Sequence, residues 1–338
     1  MSFSRGSVED LLTSGMIRVL KALGYFVIVA SSAAQESHFP EFEWKEKETE
    51  HFILRANGTN HSPTNRLAEK VWEVCVEVLP GLEADFAQNE FLTPTGEKGV
   101  EEGPFRYCVY LLGEAQEFSH VVATDAPSNG WQPDRVDLIN QVGNYVDARA
   151  RYGVFCKETP NESARGDRDI SSVFAHSVGA NLLKGQGRMK AVPFWLRSGF
   201  GYYVEHILFD RCQVHYLDFN KYYEDKADEI TKGEILGKED DWPSVLKKMC
   251  KKGERSRFDE VMTSAILTLS PKESGYNFAL VYFLVRDDAA RENFGKVIAA
   301  LREGAAFDRK MILDAYGYED EASLETEWYE WMQSKEFK

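Results

Sequence analysis

The sequence predicts an α+β protein in which a small mixed sheet with helices comes first and a mainly helical part follows. Two stretches, 51–56 and 105–112, are rich in aromatic and aliphatic residues, which is typical of strands. Later in the chain the apolar stretches have the length and spacing of helices. The predicted boundaries are 45–160 for the α+β part and 161–335 for the helical part.

The N-terminal part contains further elements that the pattern predicts in order. Asn57-Gly58 marks a turn after the first strand. Apolar residues at helical spacing after Ser62-Pro63-Thr64 predict a helix over 67–86. The remaining elements are a loop at 93–104, a short helix at 114–122, a loop at 126–134 and an edge strand at 152–156.

The C-terminal part is predicted to be helical from residue 170 onwards. A first helix begins after Asp167 or Asp169 and ends at Gly185 or Gly187, and Pro193 sits in the first turn of a second helix that runs to about Cys212. An amphipathic island follows at 242–249, and Ser270-Pro271 or Ser274 caps an apolar helix at 276–285. Three more helices are predicted at 294–301, 307–316 and 324–332.

Charge restricts the partners that the protein can have. The net charge of −15 argues against binding to nucleic acid or to an anionic membrane, because both are negatively charged. The basic cluster Lys247, Lys248, Lys251 and Lys252 is flanked by acidic residues, so we interpret it as a solvated helix face. The partner class left open is a peptide or a protein, and the sequence does not determine an oligomeric state.

The first 34 residues resemble an export signal. Arg18 and Lys21 precede the apolar run 22–30, and small residues up to Ala34 offer a cleavage site. The run is shorter than the roughly 20 residues that span a bilayer. Residues 1–34 are therefore predicted to be a signal peptide or an N-terminal anchor, and the protein to be exported to a periplasmic, envelope-associated or secreted location. The alternative is an amphipathic helix that packs on the domain.

Five cysteines are spread along the chain with no pair at C-x-x-C spacing, so no zinc-ribbon or thioredoxin-type motif is present. Because some are flanked by apolar residues, we expect buried free thiols.

The helix pair between 171 and 206 carries the most informative pattern. The first helix contains His176-Ser177-Val178-Gly179-Ala180, and the second begins with Trp195-Leu196-Arg197-Ser198-Gly199-Phe200-Gly201-Tyr202. In zinc peptidases, two histidines at i and i+4 lie on one helix face, a Glu after the first histidine activates the metal-bound water, and a third ligand comes from elsewhere.

This pattern resembles the active-site helix pair of gluzincin-type (peptidase MA-like) zinc peptidases, whose second helix opens with a W-L-x-E-G-like segment. The resemblance implies that His176 stands at the first histidine ligand. Ser177 then replaces the catalytic Glu, Ala180 the second histidine and Ser198 the Glu ligand. The catalytic set is thus degenerate at Ser177, Ala180 and Ser198. This argues against an enzyme of the family's type, and no zinc or other cofactor is expected.

Two further motifs extend the resemblance to about residues 45–332. Thr49-Glu50-His51-Phe52 is similar to the opening strand of bacterial peptidase MA-like proteins, many of them uncharacterised, and Leu324-Glu325-Thr326-Glu327-Trp328 is similar to their closing helix. The implied fold is a gluzincin-like one.

The residues also permit an atypical zinc site. Ser198, Tyr202 and Glu205 lie on one stripe of the second helix, where Glu205 can face His176, with His206 or His215 close by. These four, His176, Ser198, Tyr202 and Glu205, are the cleft candidates, and His176 with Glu205 would be the metal ligands if any metal binds. Otherwise His176 is a hydrogen-bonded core or cleft histidine and Glu205 a solvated or paired carboxylate. A serine-hydrolase reading of Ser198 is disfavoured because the G-x-S-x-G elbow is absent.

Gly199 and Gly201 predict a close approach of two backbones, because glycine inside a helix costs about 1 kcal/mol relative to alanine. We expect them to pack on the first helix at Gly179 and Ala180.

The function that these patterns predict is that of a non-catalytic, zinc-peptidase-like protein, a pseudopeptidase, that binds a peptide or protein. Two alternatives stay open: an active metallopeptidase or other hydrolase with atypical ligands around His176 and Glu205, and a structural scaffold.

Overall fold

The computed structural model describes residues 37–59, 62–87, 90–92, 98–100, 106–147, 151–158, 170–185, 192–212, 241–265 and 269–338. The predicted export signal, the Asp167 or Asp169 cap, Gly187 and His215 lie outside these residues. Within them the protein is mixed α+β, with a small N-terminal mixed sheet and a mostly helical remainder.

Seven strands form two sheets in the part of the chain that the structure describes. They are β1 Lys45–Glu48, β2 Phe52–Asn57, β3 Glu90–Leu92, β4 Lys98–Val100, β5 Tyr107–Leu112, β6 Asn144–Asp147 and β7 Tyr152–Cys156. The larger sheet has the order β1-β2-β5-β7-β6, and β3 pairs with β4. Strands β2, β5 and β7 are parallel, whereas β1 and β6 run antiparallel to their neighbours at the two edges.

The sheet lies between two layers of helices. The described helices of the N-terminal part are α1 Ser62–Val78, α2 Leu82–Ala87, α3 Ala115–Asn129 and α4 Pro133–Val142. Alternate residues of the strands belong to different cores: Phe52 and Val109 join the large core that includes α1, whereas Ile53 and Tyr110 join a smaller core with α3 and α4. Strands β2 and β5 are buried on both faces, and this explains why 51–56 and 105–112 are so apolar.

The remaining described helices follow the sheet. They are α5 Ile170–Lys184, α6 Phe194–Phe209, α7 Trp242–Lys251, α8 Phe258–Met262, α9 Pro271–Leu284, α10 Asp288–Arg302, α11 Arg309–Tyr316 and α12 Glu321–Gln333. Helix α9 is central: it is buried on nearly every side and contacts α6, α7, α8, α10 and α12. Its start is the predicted one, because Ser270 and Glu273 form a capping box with Pro271 in the first turn.

Several sequence predictions about elements were wrong or incomplete. The helix predicted over 67–86 is broken into α1 and α2, because Pro80-Gly81 interrupts it and Gly81 has a φ of 83°. Strand β4 lies within the predicted loop 93–104, and the other residues of that segment lie outside the described ones. The predicted loop 126–134 is confined to 130–132, because 126–129 form the last turn of α3 and Pro133 begins α4. Helix α6 was predicted to run to about Cys212. It ends at Phe209 instead, and the next residue, Asp210, adopts the left-handed conformation.

The position of 152–156 in the sheet was also predicted wrongly. Strand β7 is an interior strand between β5 and β6, and the edge belongs to β6. All five residues of β7 are buried, as an interior strand requires.

The predicted buried thiols are confirmed, since all five cysteines are free and buried. Among the residues that the structure describes, no helix combines the length and the apolar character needed to cross a membrane.

Candidate functional site

Helices α5 and α6 pack closely because small residues line their contact. A Cβ built on Gly201 would lie 2.8 Å from the backbone oxygen of His176, and one built on Gly179 would lie 2.9 Å from Cγ2 of Val204. Both distances are shorter than real Cβ contacts, so only glycine allows this approach. The predicted close packing of the two helices is therefore supported at Gly179 and Gly201.

Gly199 has a different partner from the one that the sequence predicted. Its Cβ would lie 2.3 Å from the backbone oxygen of Asn277, which belongs to α9 rather than to α5. The prediction failed because Gly199 and Gly201 are two residues apart, and residues at that spacing point to different sides of a helix. Helix α6 thus packs against α5 at Gly201 and against α9 at Gly199.

His176 and Glu205 are brought together at this contact. Nδ1 of His176 lies 3.8 Å from Oε2 of Glu205, and the imidazole packs edge-on against the ring of Tyr202 with centroids 4.4 Å apart. The separation of 3.8 Å is too long for a hydrogen bond and is an ion-pair distance when the imidazole is protonated. The side chain of Glu205 is completely buried, whereas that of His176 is 16% exposed. The expectation that Glu205 faces His176 is confirmed, and the alternative of a solvated Glu205 is wrong.

The resemblance assigns the catalytic Glu and two ligands of gluzincins to Ser177, Ala180 and Ser198. The Ser177 hydroxyl accepts a hydrogen bond of 3.3 Å from the Asn144 side chain on β6. Ala180 and Ser198 are each 8% exposed, so the substituted positions are nearly enclosed in the protein. A hydroxyl and a methyl group there supply neither a general base nor an imidazole ligand.

His206 does not belong to the site. Its Nε2 lies 2.8 Å from the backbone oxygen of Lys338, and its ring packs against Phe278 and Tyr282. Burial lowers the pKa of His206, and the contact with Lys338 partly offsets this effect. The suggestion that His206 lies close enough to complete a metal site is therefore wrong, because its ring is directed to the C-terminal residues.

The donor set that remains does not fit a catalytic zinc ion. Within the described ranges, no group of three His, Cys, Asp or Glu side chains is arranged to hold a metal. His176 and Glu205 provide two donor groups, whereas catalytic zinc sites have three protein ligands and an open position.

Strand β6 borders the site and was not predicted from the sequence. Cys156 N donates to Gly143 O over 2.8 Å, and residues 144–147 continue this antiparallel pairing with β7. Hydrogen-bonded and non-hydrogen-bonded pairs alternate along such a ladder, so the bonds fall at Tyr145 and Asp147. The backbone groups of Asn144 and Val146 consequently point away from β7. Only four residues form β6, and this is too short for an alternating pattern to be recognised.

Asn181 is a second residue that the sequence analysis missed. It is buried on α5, and its Nδ2 donates to the Tyr107 hydroxyl and, over 3.2 Å, to the backbone oxygen of Asp147. These bonds connect α5 to β5 and to the end of β6. A signal was available, because an amide among the apolar residues Val178, Leu182 and Leu183 must find a partner inside the protein.

A scan of the chain against models of protein families found no match, and a search of curated proteins found none either.

Proposed function

We propose that this chain is a non-catalytic protein with a gluzincin-type fold, exported to the envelope or beyond, that binds an extended segment of polypeptide along β6. The observation that carries the proposal is the position of β6: an edge strand whose Asn144 side chain reaches Ser177, beside the partly exposed His176.

The edge of β6 has the groups that such a ligand needs. Among the described strands, β6 pairs with β7 alone. Its outward backbone groups at Val146 can accept and donate hydrogen bonds to an added strand, which is a common way of binding an extended peptide. The side chains of Asn144 and Val146 are partly buried on the face towards α5, so an added strand would run past His176 and Ser177.

The chemistry of the site supports binding rather than hydrolysis. Ser177 is engaged by Asn144, Ala180 has no ligand atom, and Glu205 is buried without water access to its side chain. The imidazole of His176 is the remaining ionisable group of the site with an exposed surface, and by itself it offers a hydrogen-bond donor or acceptor to a ligand.

The experiment is a binding measurement that separates backbone pairing from side-chain contacts. Purified full-length protein is screened against an immobilised library of unstructured peptides, and the peptides that bind are titrated in solution. Val146→Pro removes the outward N–H, and proline is tolerated in this position of an edge strand. Val146→Ala removes both methyl groups of the side chain but keeps the N–H, so it is the control for loss of the valine side chain.

We expect the wild-type protein and Val146→Ala to bind and Val146→Pro to lose binding, with all three equally folded by circular dichroism. If no peptide binds, the proposal is overturned in favour of a structural scaffold. If Val146→Pro binds as well as Val146→Ala, the ligand does not pair with β6 and the proposed mode is wrong.

The contact of His176 with Glu205 favours one second candidate, a metallopeptidase or other hydrolase that uses atypical ligands. Metal analysis of the purified chain distinguishes it: one equivalent of zinc that is lost in His176→Ala would establish a metal site and contradict the non-catalytic proposal.

A further inference from the structure

A short segment at the start of the described chain covers the opposite face of the sheet from His176. We call residues 37–44 the strap. Phe39 is fully buried, and its ring lies edge-on to the rings of Tyr110 and Tyr152 with centroid distances of 4.9 and 6.1 Å. Trp44 closes the strap on itself, since its Nε1 donates to the Phe39 oxygen over 2.8 Å. The strap therefore fills an aromatic surface with its own side chains.

The surface under the strap is unusually polar for the interior of a protein. The buried Arg55 guanidinium donates to the Tyr110 hydroxyl over 3.1 Å and to Glu46 over 2.9 Å. On the other side, the Tyr145 and Tyr152 hydroxyls both donate to the buried carboxyl group of Asp125 on α3. Burial raises the pKa of Asp125, and the two tyrosine hydrogen bonds partly offset this effect.

His38 is the part of the strap that meets this polar surface. Its backbone N–H donates to the Tyr110 hydroxyl over 2.9 Å, and its partly buried ring lies 4.7 Å from the ring of Tyr152. The ionisable groups around the ring come from every strand below it: Arg55 on β2, Tyr110 on β5, Asp147 on β6 and Tyr152 on β7. The Asp125 carboxyl lies one hydrogen bond further, on the Tyr152 hydroxyl.

We propose that residues 37–44 are a pH-released strap: protonation of His38 next to the Arg55 guanidinium frees the strap and uncovers the aromatic surface of Tyr110 and Tyr152.

The energetics of His38 have the sign that this release requires. Burial lowers the pKa of His38, the positive charge of Arg55 lowers it further, and Asp147 opposes both effects. A histidine with a lowered pKa in the docked state binds its proton more tightly once the strap is released. Docking is therefore at full strength above the ordinary histidine pKa of about 6.5 and weakens as the pH falls through that value.

The strap is also the kind of segment that can open without unfolding the domain. Residues 37–44 belong to none of the described strands, and the hydrogen bonds that join them to the sheet include His38 N–H to Tyr110 and, over 3.4 Å, the Asn57 amide to Glu43 O. Segments with few such bonds open at a lower free energy than the core does. An ion pair of the strap, Glu41 with His120 at 3.5 Å, is exposed and contributes little.

The test is hydrogen exchange of the full chain, measured by mass spectrometry at about pH 7.5 and about pH 5, two values on either side of the ordinary pKa of histidine. Protection is expressed relative to the intrinsic exchange rate at each pH. We expect the peptide that contains 37–44 to lose protection severalfold at the lower pH, because each unit of pKa difference is a tenfold change in the opening equilibrium. Helix α10 is the internal reference and keeps its protection.

Two variants test whether protonation of His38 causes the loss of protection. His38→Gln cannot titrate, so its strap is expected to show the same protection at both pH values, even if the strap is looser throughout. His120→Gln removes an exposed histidine that pairs with the strap and is expected to keep the wild-type loss. The proposal is overturned if the strap of His38→Gln still loses protection on acidification, if the wild-type strap does not lose it, or if α10 loses it in parallel.

Discussion

The Cα of Gly201 on α6 lies so close to α5 that a Cβ there would be 2.8 Å from the backbone oxygen of His176 and 2.9 Å from its ring. The contact places His176 of α5 directly against α6. It also brings Nδ1 of His176 to 3.8 Å from the buried Glu205. The lack of a side chain at Gly201 therefore permits both the close packing of these helices and the geometry of the candidate site.

We predict that Gly199→Ala and Gly201→Ala destabilise the protein although alanine favours helices by about 1 kcal/mol. The new methyl groups would meet the backbone oxygens of Asn277 and His176, which cannot rotate away. Overpacking of this kind costs about 1–3 kcal/mol, and it is measured as a lower midpoint of urea unfolding. The control is Gly295→Ala on α10, whose methyl group would meet the Pro80 ring at 3.1 Å. An equal loss in the control would show that the α6 contacts are not special.

The proposed correspondence with gluzincins can be tested by introducing the residues that this family would have at positions 177, 180 and 198. The combination Ser177→Glu, Ala180→His and Ser198→Glu is predicted to bind one equivalent of zinc, because histidines at 176 and 180 would share one face of α5. Metal content after dialysis is the measurement. The matched control carries Ser177→Glu and Ser198→Glu without the histidine and is expected to bind none. If the triple variant folds but takes up no zinc, the proposed correspondence with gluzincins is wrong.

The carboxyl group of Asp125 gives a prediction for stability against pH. Burial raises its folded pKa above the usual value, so the folded state binds the proton more tightly than the unfolded state does. The contribution of Asp125 to stability is therefore complete below the unfolded pKa of about 3.9 and is lost as the pH rises through the folded pKa.

Asp125→Asn cannot titrate and is the comparison that isolates this effect. The free energy of unfolding of the wild-type protein, minus that of Asp125→Asn, should increase as the pH falls from 7 towards 4, in parallel urea titrations. A difference that stays constant with pH would mean that folding does not raise the pKa of Asp125.

Local patterns predicted the elements whose signal lies within one segment. Strands β2 and β5 were found because both of their faces are apolar, and the start of α9 was found because Ser270, Pro271 and Glu273 form a capping motif. Helix α4 was missed although Pro133 at its start and Gly143 at its end are typical helix boundaries. The contact of Glu205 with His176 was also predicted, because residues 198, 202 and 205 share one stripe of a helix.

The sequence by itself determined the α+β class and the helix pair that carries His176. Tertiary structure alone decided that β7 is interior and β6 is the edge, that Glu205 is fully buried, and that Gly199 packs against α9 instead of α5. It also decided that residues 37–44 cover Tyr110 and Tyr152. The reason is physical: periodicity and capping depend on neighbours along the chain, whereas strand order, burial and helix partners depend on residues far apart in sequence.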